Sequence, residues 1–277
     1  MDLVEVTDHR WARTRADLRL APGERLLGGG TWLFSEPQPG TTGLVDLTTM
    51  EWPAWEALPG GGLRIAATCT IEELQAVPGA VLGGAARVVH ACADALLMSF
   101  KVAAWATVGG NLCLALPAAA MVSLTAGLGG EVVVWTPDGG ERREPVASFV
   151  TGPGSTTLAP GEVLRAVDLP AAALAARTAF RRTSLARLGR SAAVVVGRAN
   201  AAGTTLTLTA ATPRPVVLAF PGTPPWVEVD EAVRAITDWY ADPHGAPDWR
   251  RAMTRRLAAE VLAELGDVTP PWTGGTA

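Results

Sequence analysis

Leu26-Leu27-Gly28-Gly29-Gly30-Thr31-Trp32-Leu33 closes a short apolar stretch with three consecutive glycines. The run reads as a strand that enters a side-chain-free turn and leaves it again. Glycines there let main-chain N–H groups approach an anion and allow backbone angles that other residues avoid. Thr31 adds a hydroxyl donor. Taken alone, the triplet reads either as a plain turn or as an anion cradle. It is not a phosphate loop of the Gly-Lys-Ser/Thr type, and it lacks the G-x-G-x-x-G spacing of a dinucleotide fold. A second glycine pair stands in Ala106-Thr107-Val108-Gly109-Gly110-Asn111 and also leaves an apolar stretch. Two such turns in one domain suit the two ends of a long phosphorylated cofactor. Asn111 would either contact that ligand or tie down the turn, since its amide both donates and accepts.

The rest of the chain excludes several classes. Its 277 residues are 48% hydrophobic, enough for one large or two modest domains with a substantial core. A net charge of −4 argues against nucleic acid as the main partner. Cys69, Cys92 and Cys113 form no C-x-x-C pair, so no iron–sulfur or zinc ligand set is evident and buried reduced thiols are expected. His9, His90 and His244 have no partner at a recognisable spacing. No apolar run reaches membrane-spanning length and the N-terminus is charged, so a cytoplasmic protein is expected.

Along the chain, Trp11 to Leu20 reads as a short surface helix, and 42–47 and 63–67 as strands. Thr70 with Glu73 forms a capping box that opens a helix through Gln75. Gly83 to Phe100 reads as one Ala-rich helix, and Ala118 to Leu128 as another after Pro117. Strand 131–135, the turn Pro137-Asp138-Gly139-Gly140 and the return 141–146 make a hairpin. Glu162 opens a strand that Pro170 stops, and its carboxylate is expected to hold a loop. Segments 179–188, 192–199 and 204–211 read as a three-stranded meander, followed by helices over 229–240 and 249–265. The Pro/Gly/Thr-rich tail from Asp267 reads as loose. The arginines from Arg177 to Arg190 form either a solvated face or a cluster that neutralises a pyrophosphate or carboxylate.

Four blocks, in order, carry a resemblance. Leu27 to Leu33 resembles the first FAD loop of the flavoprotein (medium) subunit of molybdenum hydroxylases, the family that includes carbon monoxide dehydrogenase and xanthine dehydrogenase. Ala106 to Leu112 is similar to its second loop. Phe149 to Pro170 looks like its third block, and Phe180 to Arg190 like the start of its C-terminal domain. The resemblance implies an α+β fold: a two-lobed FAD-binding domain over 1–172, split near 50–60, then a smaller antiparallel sheet with helices over 177–266. By the same resemblance, Leu26, Leu27, Gly28, Gly29, Gly30, Thr31, Trp32 and Leu33 would line the adenine-side pyrophosphate. Ala106, Thr107, Gly109, Gly110 and Asn111 would meet the cofactor towards its ribityl chain. Leu164 would lie against the flavin, and Arg181 falls where the family often has a lysine near the ring.

The chain also departs from that pattern. Leu116-Pro117-Ala118-Ala119-Ala120 stands where the family usually has Ser-Pro-x-x-Asp, so the carboxylate on the flavin side is missing. Val102-Ala103-Ala104 replaces the common Ile-Arg-Asn, and Trp32 replaces a small or acidic residue. The implied function is an oxidoreductase subunit whose FAD passes electrons from a [2Fe-2S] small subunit, fed by a molybdenum-cofactor large subunit, to an acceptor. A stand-alone flavoenzyme and a member that has lost FAD are the other readings. No catalytic side chain and no protein-bound metal is expected, and the first reading needs none, because the flavin carries the redox chemistry.

Overall fold

The chain, seen in a computed structural model, is described over residues 3–266; the tail predicted from Asp267 lies outside them. Its first sheet is parallel: β1 (Asp8–Trp11), β2 (Glu24–Leu27) and β3 (Gly43–Asp46) lie in the order β1-β3-β2. Trp11 and Leu27 both pair with Asp46, so the three strands end together and the glycine triplet leaves from that edge. The expected helix over Trp11 to Leu20 is instead the end of β1 and one short 3-10 turn, Arg15–Leu18. The reason lies in ionic ties. Asp17 accepts from the Arg13 and Thr14 amides, and Arg10 reaches across to Glu24 at 2.7 Å. That arginine, with the Ala21 amide, holds the Glu24 carboxyl down at about 2.

The second sheet is antiparallel. It is built from β4 (Trp55–Ala57), β5 (Leu63–Ala66), β6 (Glu131–Trp135) and β7 (Glu141–Pro145), then, after the small ribbon of β8 (Val150–Gly152) and β9 (Ser155–Thr156), from β10 (Val163–Leu169). The order is β4-β5-β10-β6-β7. Leu63, Ile65, Val132, Val134, Leu164 and Leu169 turn one face into the main core, while Arg64 and Arg143 grip Asp168 on the other at 2.7 Å each. One face buried and one polar is how antiparallel sheets usually alternate.

Helices α1 (Ile71–Gln75), α2 (Ala86–Asp94), α3 (Val108–Leu114) and α4 (Ala120–Gly127) cover the apolar face. The Thr70–Glu73 capping box forms as expected. All eight residues of α4 are buried, in keeping with a helix that is small and apolar all round. The single helix expected from Gly83 to Phe100 breaks after Asp94. Leu97 takes a left-handed φ of 54°, and Ser99 caps a new turn, Phe100–Ala103. Glu162 does hold its loop: it accepts from the Ala159 amide at 2.9 Å and from Arg142.

The third sheet is the expected meander with one more strand: β11 (Arg177–Thr183), β12 (Ala193–Asn200), β13 (Gly203–Thr209) and β14 (Val216–Phe220). The prolines on both sides of β14 mask it in the sequence. Helices α5 (Trp226–Arg234) and α6 (Pro247–Gly266) pack on one face through Val195, Leu206 and Leu208. The opposite face gives Val194, Val196 and Ala210 to the main core. Polar ties cross the same contact: Ser123 Oγ to Thr209 Oγ1 at 2.6 Å, the Ala210 amide to Pro117 O at 2.9 Å, and Arg198 to Leu128 O at 3.1 Å.

Candidate cofactor site

The first loop begins where the Leu47 amide donates to Leu27 O at 2.8 Å, the last tie of β2. Gly30 takes a φ of +71° and its carbonyl accepts the Phe34 amide at 2.9 Å. Trp32 O accepts the Ser35 amide, and Ser35 Oγ donates to Thr31 O. The chain thus curls back at once, with Leu33 inside the curl. Among the described residues, the amides of Gly28, Gly29, Gly30 and Thr31 donate to none of the turn, loop or cap acceptors. A half-buried amide without a protein acceptor is a site for water or an anion.

The second loop is different from its sequence reading. Thr107 is the N-cap of α3, and its Oγ1 accepts the Gly110 amide at 3.0 Å. The Val108 amide donates to Cys69 O and the Gly109 amide to Ala67 O, both at 2.9 Å. The Asn111 amide donates to Thr107 O at 3.1 Å. Thr-Val-Gly-Gly-Asn is therefore a capped helix start whose amides serve the protein. Gly109 is required for packing, because a β-carbon there would stand 2.6 Å from Ala67 O. Asn111 Oδ1 accepts the Met121 amide at 2.9 Å, which ties α3 to the start of α4, beside Ala120.

The two loops meet. A β-carbon on Gly28 would lie 3.1 Å from Thr107 Oγ1, and one on Gly29 would overlap the carbonyl oxygen of Trp105 and stand 3.2 Å from the Ala106 nitrogen. Backbone lies directly on backbone, which only glycine permits. One side of this junction carries free amides and the other carries a capped helix.

Leu164 is buried on β10, paired with Val134 and next to Arg165, whose carbonyl accepts the Ala67 amide. It stands one strand away from the acceptor that fixes Gly109. Arg165 sits 4.4 Å above Trp52, and its Nη1 is buried with no hydrogen-bond partner. Burial lowers its pKa.

Arg181 is not brought to the junction. Glu264 takes its Nη1 at 2.7 Å and Glu260 its Nε at 3.4 Å, on the face covered by α6. Strand alternation puts the neighbouring Arg182 on the opposite face with Phe180, which packs on the main core. Arg182 donates to Gly189 O at 2.9 Å and Ala95 O at 3.4 Å. Desolvation lowers its pKa. Counting inward and outward positions from the buried Ala179 would have separated the two arginines in the sequence. Arg187 and Arg190 are exposed, so the basic run is spread over several surfaces.

Cys69 and Cys92 are buried and Cys113 is exposed, all as free thiols, and desolvation pushes Cys69 up to about 12. Among the described residues, no group of three or more His, Cys, Asp or Glu could hold a metal ion. No described helix is long and apolar enough to cross a membrane.

A search of curated proteins finds no match to this chain. The fold is similar to a chain of quinoline 2-oxidoreductase from Pseudomonas putida 86, with a TM-score of 0.79 at 19% identity over 94% of this chain and 96% of that one. It is similar to carbon monoxide dehydrogenase from Hydrogenophaga pseudoflava, with a TM-score of 0.78 at 19% identity over 95% and 98% of the two chains. It is similar to reconstituted CO dehydrogenase from Oligotropha carboxidovorans, with a TM-score of 0.80 at 19% identity over 95% and 98%. The sequence family described as the FAD binding domain in molybdopterin dehydrogenase matches residues 12–172, more than half of the chain and both glycine loops. With that match and an α+β fold shared along almost its whole length, the chain belongs to the family of FAD-binding domains of molybdopterin dehydrogenases.

Proposed function

We propose that this chain carries FAD as the electron-transfer subunit of a molybdenum hydroxylase-type dehydrogenase, with a molybdenum-cofactor large subunit and a [2Fe-2S] small subunit as partners. FAD is the cofactor of the family, and one observation supports the fit locally: the amides of Gly28 to Thr31 donate to none of the turn, loop or cap acceptors, beside a junction that admits no side chain. When bound, FAD supplies the one- and two-electron chemistry.

The chain's own residues bind and orient. Amides at Gly28, Gly29, Gly30 and Thr31 balance pyrophosphate charge through charge-assisted hydrogen bonds, each worth about 1.5–3 kcal/mol. Leu26, Leu27, Trp32 and Leu33 form the walls of that cradle. Thr107, Gly109 and Asn111 act indirectly, by setting α3 against β5 and α4 so that Ala106 and the exposed Gly110 stay beside the first loop. Leu164 backs the second loop from β10. Arg182, rather than its neighbour Arg181, lies on the side of the FAD-binding lobes. We place the cofactor domain over 1–172 and the sheet-and-helix domain over 177–266.

The small side chains of Ala103, Ala104 and Ala120 favour a second reading, a stand-alone flavoenzyme, because they remove polar groups from the reactive end. Two measurements on the natively purified protein decide. A yellow protein absorbing near about 450 nm that releases FAD is expected under either flavin reading. A colourless protein without releasable FAD would remove both. Co-purification with molybdenum and iron selects the first, and a lone yellow chain the second.

A further inference from the structure

We propose that Arg198, Asn200 and Thr205 form a binding site for a small molecule that carries a carboxylate or phosphate group, on the face of the third sheet turned to the FAD-binding lobes. The strand registers build it. Arg198 on β12 stands directly across from Thr205 on β13, and Thr205 directly across from Ala219 on β14. Asn200 is two residues beyond Arg198 on the same strand, so alternation puts all four side chains on one face. It is the face that gives Val194 and Val196 to the main core. Ala219 is the short member of the row. Over it opens a pocket of about 340 Å³, walled at one end by Phe220 and Pro221.

The guanidinium is held in place but not satisfied. Its Nη1 donates to Leu128 O at 3.1 Å, and Gly129 makes room for it, since a β-carbon there would stand 2.5 Å from the same nitrogen. Among the described residues, its Nε and Nη2 have no acceptor and no carboxylate pairs with it. Arg64, Arg142, Arg143 and Arg255 each meet a carboxylate. Arg182, which lacks one, spends both Nη1 and Nη2 on protein oxygens. Burial lowers the pKa of Arg198, the mark of a charge that has lost water without gaining a counter-ion.

The neighbours of Arg198 are donors too. Thr205 Oγ1 has no hydrogen-bond partner among the described residues, and Asn200 Nδ2 reaches only Ala172 O, at 3.5 Å. The pocket lining holds no Asp or Glu. Donors without a facing acid select an acceptor-only group, and a guanidinium matches the paired oxygens of carboxylate or phosphate. The pocket is larger than such a group alone, so the ligand carries a body that fills the space over Ala219. Arg198 and Asn200 both reach backbone oxygens of the preceding lobes, so the ligand sits at the seam between those lobes and the sheet.

Calorimetric titration of the full chain tests this, in excess FAD so that the glycine cradle is filled, with inorganic phosphate and with acetate as probes at constant ionic strength. At least one probe should bind saturably, and the tighter of the two names the group. Arg198→Gln should abolish that binding. Thr205→Val keeps the shape of the side chain and removes only its hydroxyl; it should weaken binding several-fold at a near wild-type melting temperature. That variant decides the matter even if Arg198→Gln fails to fold. No saturable binding of either probe, or binding that neither variant alters, overturns the proposal.

Discussion

Gly29→Ala should cost this protein its FAD while leaving most of the fold standing. The added methyl group has no free volume: it overlaps the Trp105 carbonyl, which is backbone and cannot rotate aside. The backbone conformation is not the obstacle, since Gly29 is not among the residues of positive φ. The obstacle is contact between two chain segments, so the loops must part. Overpacking of this kind costs about 1–3 kcal/mol of stability. Separation also misaligns the amides of Gly28 to Thr31. Loss of two charge-assisted bonds at roughly 1.5–2 kcal/mol each amounts to about 3–4 kcal/mol, or on the order of 100- to 1000-fold in Kd. Titration of the cofactor-free variant with FAD measures this directly. Gly152→Ala is the matched control, because nothing lies within 4 Å of a β-carbon there and its φ is not positive. If Gly29→Ala bound FAD as tightly as this control, the cradle would lie elsewhere.

Arg250→Leu is expected to destabilise the C-terminal part more than any change at the cofactor site. Arg250 is 1% exposed on α6, yet it serves four partners. Its Nε donates to Gly245 O at 2.9 Å and its Nη1 to Ala192 O at 2.6 Å; Nη1 also reaches Ala210 O, and Nη2 pairs with Asp242. The guanidinium lies 5.4 Å from the Tyr240 ring centre. One side chain thus joins the loop before β12, the end of β13 and the turn before α6. Leucine would leave three carbonyls and a carboxylate without that donor. Removing one partner of a buried ion pair costs about 3–5 kcal/mol, a large share of the 5–15 kcal/mol typical of a folded domain. Arg250→Lys should recover little, since an ammonium cannot reproduce a planar fork aimed three ways. Urea unfolding followed by circular dichroism reads the loss; a midpoint unchanged from wild type would show that the network is dispensable.

Arg250 also marks how far the sequence could be read. Elements with local signals were legible: the Thr70–Glu73 cap, the Pro137–Gly140 hairpin, and the meander around the turn at Asn200 to Gly203. Elements fixed by distant pairing were not. β1 has no apolar alternation and exists through its ladder with β3. The break after Asp94 is set by Leu97, whose left-handed backbone no propensity announces. At the site, the two glycine loops were visible, but not the division of labour between them. Spent and unspent amides depend on what lies opposite, and the carbonyls of Ala67 and Cys69 come from another part of the chain. Arg181 and Arg182 were separable only by strand parity, which needed the exact start of β11.

The sheet of β11 to β14 lends Val194, Val196 and Ala210 to the core of the preceding lobes, and Ser123 and Thr209 close a hydroxyl pair across the seam. Truncation at residue 172 would therefore strip solvent protection from the all-buried α4 rather than release a self-sufficient module. Calorimetry of the intact chain should accordingly record one endotherm, with both parts melting together. A ligand that orders one part would then raise the melting temperature of the other.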